Sequence, residues 1–256
     1  APYDKNLGVQ GEDKINNLGS NAFVGWYNCH PEFRALDPNL DIETTVVIGI
    51  GNVAVDVARV LAKTPAEMAG TDIADYAVDS IDSSPLKEIY MFGRRGPMEA
   101  AFTNNELKEL GELEDCVTDV DPLQLPKDVP DTVEERKRKP RARILETLWG
   151  LSEPEGGEKR RQLHMRFFAS PVEVLGGERV EGIRLEHTWV EDGRCVGTGE
   201  TFDIPCQLIV TCIGSRAEAI EGIPFNDKRG IVVHTDGKVK PGVYAAGWAK
   251  RGAVGT

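Results

Sequence analysis

The sequence has no pair of cysteines at C-x-x-C spacing; its five, Cys29, Cys116, Cys195, Cys206 and Cys212, are odd in number and scattered. Neither a disulfide framework nor a zinc site is suggested, which leaves small thiols in a reducing compartment as the reading. The four histidines, His30, His164, His187 and His234, fall at no metal-ligand spacing, so no metal is expected. No run approaches the roughly 18 to 20 apolar residues of a membrane span. The opening Ala1-Pro2-Tyr3-Asp4-Lys5 lacks the basic-then-apolar layout of a signal peptide. Internal repeats and low-complexity tracts are absent too. Aromatics are few, at 7%, yet hydrophobic residues at 40% suffice for a real core and exclude disorder, collagen and coiled coil. Basic residues are outnumbered, 30 against 42 acidic ones, for a net charge of −12. Such a chain repels nucleic acid and anionic membranes except where cations are concentrated. The expectation is a soluble, cytoplasmic protein with one large domain and an appendage.

The first strong pattern that is present begins at residue 44. Thr44-Thr45-Val46-Val47-Ile48 is a β-branched run of the kind buried on both faces in parallel sheets. Val53, Ala54, Val57, Val60 and Leu61 follow at helical spacing, and Pro65 ends the run. A helix over 72–81 and a strand over 87–93 come next, the beginning of a doubly wound fold. Beyond a helix from Thr103, residues 121–132 read as a Pro- and Asp-rich loop, and residues 133–148 as a charged helix interrupted near Pro140. Residues 162–212 turn strand-like, with Gly176-Gly177 and Asp192-Gly193 as turns. The fold class expected is therefore α/β: a Rossmann-like, doubly wound, mostly parallel sheet with an inserted antiparallel β-meander. Phe23 to Asn28 reads as an aromatic entry linker packing on something large.

Gly49-Ile50-Gly51-Asn52-Val53-Ala54 is a G-x-G-x-x-A between the predicted strand and helix, the context that makes the motif informative. Gly49 permits the tight turn, Gly51 lets the backbone approach a pyrophosphate, and Ala54 lets the helix sit close to the strand. Asn52 and Val53 then offer backbone N–H groups to the anion. The next strand ends in Gly93-Arg94-Arg95-Gly96-Pro97, where an NAD site would carry an acidic residue. Two guanidinium groups there match a ribose 2′-phosphate, so NADP is favoured over NAD. Arg94 lies 43 residues after Gly51, beyond the usual interval of about 20; an extra helix near Thr71–Ile81 accounts for the excess.

These blocks, together with Met98-Glu99-Ala100-Ala101-Phe102-Thr103 and Gly247-Trp248-Ala249-Lys250-Arg251-Gly252, resemble the adrenodoxin reductase family of ferredoxin–NADP reductases over nearly the whole chain. In that family a flavin-binding segment precedes the NADP domain, and the chain afterwards returns to the flavin domain. The resemblance implies an excised NADP-binding domain over residues 1–213, with residues 214–256 as the start of the return segment. It implies binding of NADP(H), with FAD held only by the full-length parent, and no reductase activity from this chain alone. Arg94 and Arg95 match the 2′-phosphate pair, Glu106 an acidic residue at the adenosine end, and Glu109 a carboxylate near the nicotinamide with a catalytic part. Trp248 matches a residue beside the isoalloxazine, in a Gly-x-x-Ala-x-Gly-Asp flavin motif whose Asp it replaces. Arg251-Gly252-Ala253-Val254-Gly255 matches a stretch near the nicotinamide, where Gly255 would contact cofactor and Ala253 and Val254 depart from the family's Pro and Thr.

Six of the eight residues from Arg136 to Arg143 are cationic, an anomaly in so acidic a chain. Nucleic-acid binding would need aromatic interleaving that is missing. By the resemblance, Lys108, Lys139 and Arg143 dock an acidic ferredoxin-like or adrenodoxin-like iron–sulfur protein, a use that fits electrostatic steering. The resemblance also brings in the mitochondrial matrix as an alternative location. Oligomeric state is left as monomer or an artificial dimer. Rival readings are the NADPH-binding part of a glutamate synthase small subunit or another two-dinucleotide oxidoreductase, and a non-catalytic NADP-sensing module. A short-chain dehydrogenase is excluded, because none of the five tyrosines is followed by lysine four positions on.

Overall fold

β-Branched and apolar runs separated by amphipathic helices build a parallel sheet, because parallel neighbours need crossover connections that helices supply. The computed structural model describes residues 3–153 and 157–252. It divides into two units, Leu7–Cys212 and, separately, residues 3–6 with residues 213–252.

In the larger unit the strands are β1 (Asn17–Gly19), β2 (Thr44–Ile48), β3 (Glu88–Phe92), β4 (Cys116–Val120), β5 (Arg161–Arg166), β6 (Ala169–Leu175), β7 (Gly182–Glu191), β8 (Arg194–Pro205) and β9 (Leu208–Thr211). Six of them form one sheet in the spatial order β1-β9-β2-β3-β5-β4, every neighbouring pair parallel. The helices are α1 (Ser20–Tyr27), α2 (Asn52–Ala62), α3 (Pro65–Met68), α4 (Asp75–Ser83), α5 (Asn104–Glu109) and α6 (Glu135–Ser152). Thr64 is extended, as the residue before Pro65 must be, and α2 ends at Ala62 just ahead of it; Thr64 and Glu67 then form a capping box that starts α3.

The sheet's two faces are read directly from alternation. Val47, Leu208 and Val210 point into a core shared with the helices, whereas Val46, Ile48 and Ile209 point into a second core with Val174, Ile183 and Leu185. That second layer is the antiparallel meander β6-β7-β8, inserted immediately before β9 as expected from the sequence. Asp192 and Gly193 both have positive φ, the backbone of the tight turn between β7 and β8.

Three expectations are corrected and one strand is added. Phe23–Tyr27 is no exposed linker: Phe23 is fully buried and Trp26 is 3% exposed, because they form α1 and pack on this chain's own core. Leu163–Phe168 belongs mainly to β5 of the parallel sheet, so the meander starts only at Ala169. β4 had no counterpart in the sequence reading. Helix α6 runs unbroken through Pro140. Pro140 stands six residues into the helix, so its missing N–H leaves unbonded only the carbonyl of Arg136, in the first turn.

Two polar clusters stitch the sheet. His164 Nε2 is 2.7 Å from Glu88 Oε2 and its Nδ1 3.3 Å from Asp119 Oδ2, joining β3, β5 and β4 side by side. Burial pushes the Asp119 carboxyl up, but Arg166 and His164 outweigh it and hold that group below its ordinary range. Arg161, 2% exposed, donates to the carbonyls of Lys63 at 3.0 Å and Ile81 at 2.8 Å, tying the ends of α2 and α4 to β5. Cys116, Cys206 and Cys212 are buried, and burial pushes the Cys116 and Cys206 thiols up to about 12, whereas Cys29 is exposed.

The smaller unit is three two-stranded ladders, Tyr3–Asp4 with Ser215–Arg216, Phe225–Asn226 with Ile231–Val232, and Lys238–Lys240 with Val243–Tyr244. A short helix, Gly247–Arg251, follows.

Candidate nucleotide site

Ligands of open α/β sheets sit beyond the carboxyl ends of the strands, and there lie Gly49 and Gly51 after β2 and Gly93 and Gly96 after β3. Gly49 leaves β2 with φ of 136° and donates its N–H to Phe92 O at 2.9 Å. A Cβ on it would lie 2.3 Å from the carbonyl oxygen of Cys212, so only glycine fits between β2 and β9. Gly51 is different. It is extended, at φ −118°, and stands at the N-cap of α2. Within the protein its Cβ would meet only the Cβ of Ala101, at 3.8 Å. The space is open for a ligand rather than filled by the fold.

Ala54 is fully buried, which is what close helix-to-strand packing requires, and Val53 is 46% exposed beside the helix start. The side chain of Asn52 accepts from Thr103 N at 2.8 Å, and Ala101 N donates to Ile50 O at 2.8 Å. These two bonds join the glycine turn to the segment that follows Arg94 and Arg95. The first N–H groups of α2 and its helix dipole face outward there, a favourable setting for an anion.

Arg94 is exposed and Arg95 half-buried, and neither guanidinium has a hydrogen-bond or ion-pair partner among the described residues. Their backbone, by contrast, is pinned. Arg94 O accepts from Thr188 Oγ1 at 2.9 Å and Cys195 Sγ at 3.0 Å, both from the meander. Gly93 packs so tightly on Ile50 that a Cβ would come within 2.6 Å, and Gly96 does the same with the Phe168 ring. A pinned backbone carrying two arginines without protein partners among the described residues, next to a glycine turn, is the arrangement that binding an anion would require.

The remaining predicted residues separate into groups. Glu106 is half-buried on α5, and its Oε2 is buried without a partner. Glu109 is ion-paired with Arg59 of α2, which also holds Asp56 at 2.7 Å. Burial raises the Asp56 carboxyl; Arg59 opposes this, and Glu106 adds to it. Glu109 is thus committed to a neighbour on α2, three helical residues on from Asp56. Lys108 on α5 and Lys139 and Arg143 on α6 are exposed and have no ion-pair partner among the described residues. Thr147 donates to Asn104 Oδ1 at 2.8 Å, so α5 and α6 lie side by side. Trp248 is 47% exposed on the short helix of the smaller unit. Gly255, with Ala253 and Val254, lies outside the described residues. Among the described residues no group of three His, Cys, Asp or Glu side chains is placed to hold a metal, and no helix is long and apolar enough to cross a membrane.

Sequence reasoning missed Thr188, Cys195 and Arg59, all of which act through contacts between segments far apart in the chain. It also missed Arg141, hidden among five other cations.

No family model matches the sequence. Individual relatives do. The chain is 38% identical over 262 residues to the NADPH-ferredoxin reductase FprA of Mycobacterium tuberculosis, matching all of this chain and 57% of that protein. It is 35% identical over 280 residues to the mitochondrial NADPH:adrenodoxin oxidoreductase of Arabidopsis thaliana, covering 100% of this chain and 58% of the relative. With the corresponding bovine protein it shares 38% identity, covering 97% of this chain and 54% of the relative. The structure of Mycobacterium tuberculosis FprA in complex with NADPH superimposes with a TM-score of 0.93, over 100% of this chain and 58% of that one. The chain spans little more than half the length of the relatives it matches. Sequence and fold together make it, over its whole length, a homologue of these NADPH-ferredoxin and NADPH:adrenodoxin reductases.

Proposed function

We propose that this chain is the NADP(H)-binding part of a flavin-dependent ferredoxin–NADP reductase. The observation that carries the reading is the partnerless pair Arg94 and Arg95, set on a pinned loop beside the open Gly51 turn. Those residues fit the nucleotide: the turn and the start of α2 take the pyrophosphate, and the arginines take the 2′-phosphate. In this reading Glu106 belongs to the adenosine end, Gly255 to the nicotinamide end and Trp248 to the flavin side. When bound to the parent, FAD supplies hydride exchange and the conversion to single electrons. This chain's residues select and orient the nicotinamide nucleotide, with Glu109 as the carboxylate nearest that chemistry. Residues 1–213 form the nucleotide domain in this assignment, and residues 214–256 the return toward the flavin domain. The break between Cys212 and Ile213 supports that division, although residues 3–6 group with the tail. A cytoplasmic location is in keeping with cysteines that form no disulfide.

Calorimetric titration of the chain with 2′,5′-ADP and with 5′-AMP tests the reading. Binding of the first at least about a hundredfold tighter is expected, the worth of two charge-assisted hydrogen bonds. Equal affinities would remove the NADP assignment. Stoichiometric flavin in the purified chain would contradict the expectation that FAD needs the rest of the parent.

An iron–sulfur protein is the proposed partner, docking on Lys108, Lys139 and Arg143. The contact between α5 and α6 supports this, as does the lack of ion-pair partners for these three cations among the described residues. Reversing Lys139 and Arg143 to Glu should weaken binding of an acidic ferredoxin by about tenfold or more at low salt and flatten its salt dependence. A ferredoxin affinity indifferent to both changes would move the docking surface elsewhere.

A further inference from the structure

The basic run on α6 is not a uniform solvated face. Arg136 and Lys137 pair with Glu134, Arg138 donates to the carbonyls of Pro130 and Val129 at 3.0 and 3.2 Å, and Lys139 and Arg143 are exposed without side-chain partners among the described residues. Arg141 does none of these things. Half-buried, it donates from Nη1 to the carbonyl of Ala100 at 2.7 Å.

That carbonyl belongs to the segment that links Arg94 and Arg95 to the glycine turn. The next peptide's N–H, of Ala101, bonds Ile50 in the glycine turn at 2.8 Å, and Thr103 N bonds Asn52 Oδ1 at 2.8 Å. Three successive links therefore run from α6 through residues 100–103 to the turn that opens α2. On the other side the same segment leads back through Glu99 and Gly96 to Arg95. Glu99 folds over Gly96, its Oε2 lying 3.1 Å from where a Gly96 Cβ would be. Arg141 lies within electrostatic range of both neighbours. Burial depresses its guanidinium, Glu99 counteracts that, and the positive charge of Arg95 adds to the depression. Neither Arg95 nor Arg141 has an ion-pair partner among the described residues, and a ribose phosphate held by Arg95 would lie within electrostatic range of Arg141.

We propose that Arg141 is a positioning and specificity residue of the nucleotide site, bracing residues 100–103 and adding a third positive charge beside the 2′-phosphate. The proposal rests on the reading of Arg94 and Arg95 as the phosphate pair. It also gives the basic helix two jobs: Lys139 and Arg143 point toward a partner, while Arg141, between them in sequence, holds the nucleotide loop.

The test compares the wild type with Arg141→Met, Arg141→Gln and Arg141→Lys, titrated with 2′,5′-ADP and with 5′-AMP, with thermal unfolding followed in parallel. Met removes both the charge and the bond, Gln keeps a donor without charge, and Lys keeps both. The expected result is a loss of about tenfold in 2′,5′-ADP affinity for Met, with 5′-AMP affected less than about threefold. Lys should restore most of the loss, and Gln should restore stability without restoring the preference. An unchanged ratio of the two affinities in Arg141→Met, in a wild type that discriminates, overturns the proposal; so does an equal loss of both ligands that Gln fully repairs, which would leave Arg141 a brace alone. A wild type that binds both ligands equally overturns the phosphate reading itself, and Arg141's part with it.

Discussion

Replacing Arg94 and Arg95 together by Gln is expected to lower the affinity for 2′,5′-ADP by about a hundredfold and to leave 5′-AMP binding within about twofold. The size follows from the chemistry of the pair. A hydrogen bond from a guanidinium to a phosphate contributes about 1.5 to 3 kcal/mol. Exposure of Arg94 to solvent moves its share toward the lower end and makes it sensitive to salt. Two such bonds, each near the lower bound, give the hundredfold figure. The fold should not suffer, because neither side chain has a partner among the described residues to lose, and surface changes of that kind usually stay within about 0.5 kcal/mol. Calorimetry at two ionic strengths would check this: the wild-type preference for 2′,5′-ADP should shrink at high salt, and the double variant should show little preference at either. Parallel losses for both ligands would mean that the arginines hold the loop rather than the phosphate. No loss for either would place the 2′-phosphate elsewhere.

The arginines could be found in the sequence because their signal is local: a strand, a glycine, two cations and another glycine. The same is true of Gly49, Gly51 and Ala54, whose roles depend on residues within a few positions of one another. What made the arginines a receptor was not legible. Thr188 and Cys195 fix the backbone of Arg94 from 94 and 101 residues away, and no spacing rule links segments so far apart. Strand β4 escaped for another reason. Cys116-Val-Thr-Asp-Val alternates buried and half-buried residues with weakly apolar side chains, as edge strands do, and it lies among acidic residues that read as loop. Phe23, Trp26 and Tyr27 were misplaced because burial of an aromatic cluster does not say which surface buries it; here the surface is the chain's own core. The basic run hid a division of labour that only helix geometry exposes. Arg141 and Arg143, two residues apart, point to different faces of α6, one to Ala100 and one to solvent. For Glu109 the structure adds a competitor that the sequence could not suggest, since its ion pair with Arg59 must be loosened before that carboxylate can serve a nucleotide.

The two glycines of the turn, identical in the motif, are expected to fail in opposite ways when each is changed to alanine. Gly49→Ala should damage the fold. The residue sits at φ 136°, a conformation that L side chains rarely adopt, at a cost of about 1 to 3 kcal/mol. Its new Cβ would press to 2.3 Å from the Cys212 carbonyl oxygen and 2.9 Å from that carbonyl carbon. Relief requires separating β2 from β9 where Cys212 N bonds Ile48 O at 2.7 Å, an overpacking cost of about another 1 to 3 kcal/mol. Against a typical total stability of about 5 to 15 kcal/mol this is a large loss. A fall of about 10 °C in the melting temperature, or failure to accumulate as folded protein, is the expected result. Gly51→Ala should leave the melting temperature almost unchanged, since φ −118° suits any residue and the new methyl meets only Ala101 at 3.8 Å. Its effect should fall on the ligand instead. The methyl occupies the open space that a pyrophosphate needs, so NADP(H) binding should weaken by about tenfold or more while the fold persists. Differential scanning calorimetry and ligand titration of the two variants separate the roles. Full NADP(H) affinity in Gly51→Ala would show that the pyrophosphate does not cross the turn there, and an unchanged melting temperature in Gly49→Ala would show that β2 and β9 are not held as closely as 2.3 Å implies.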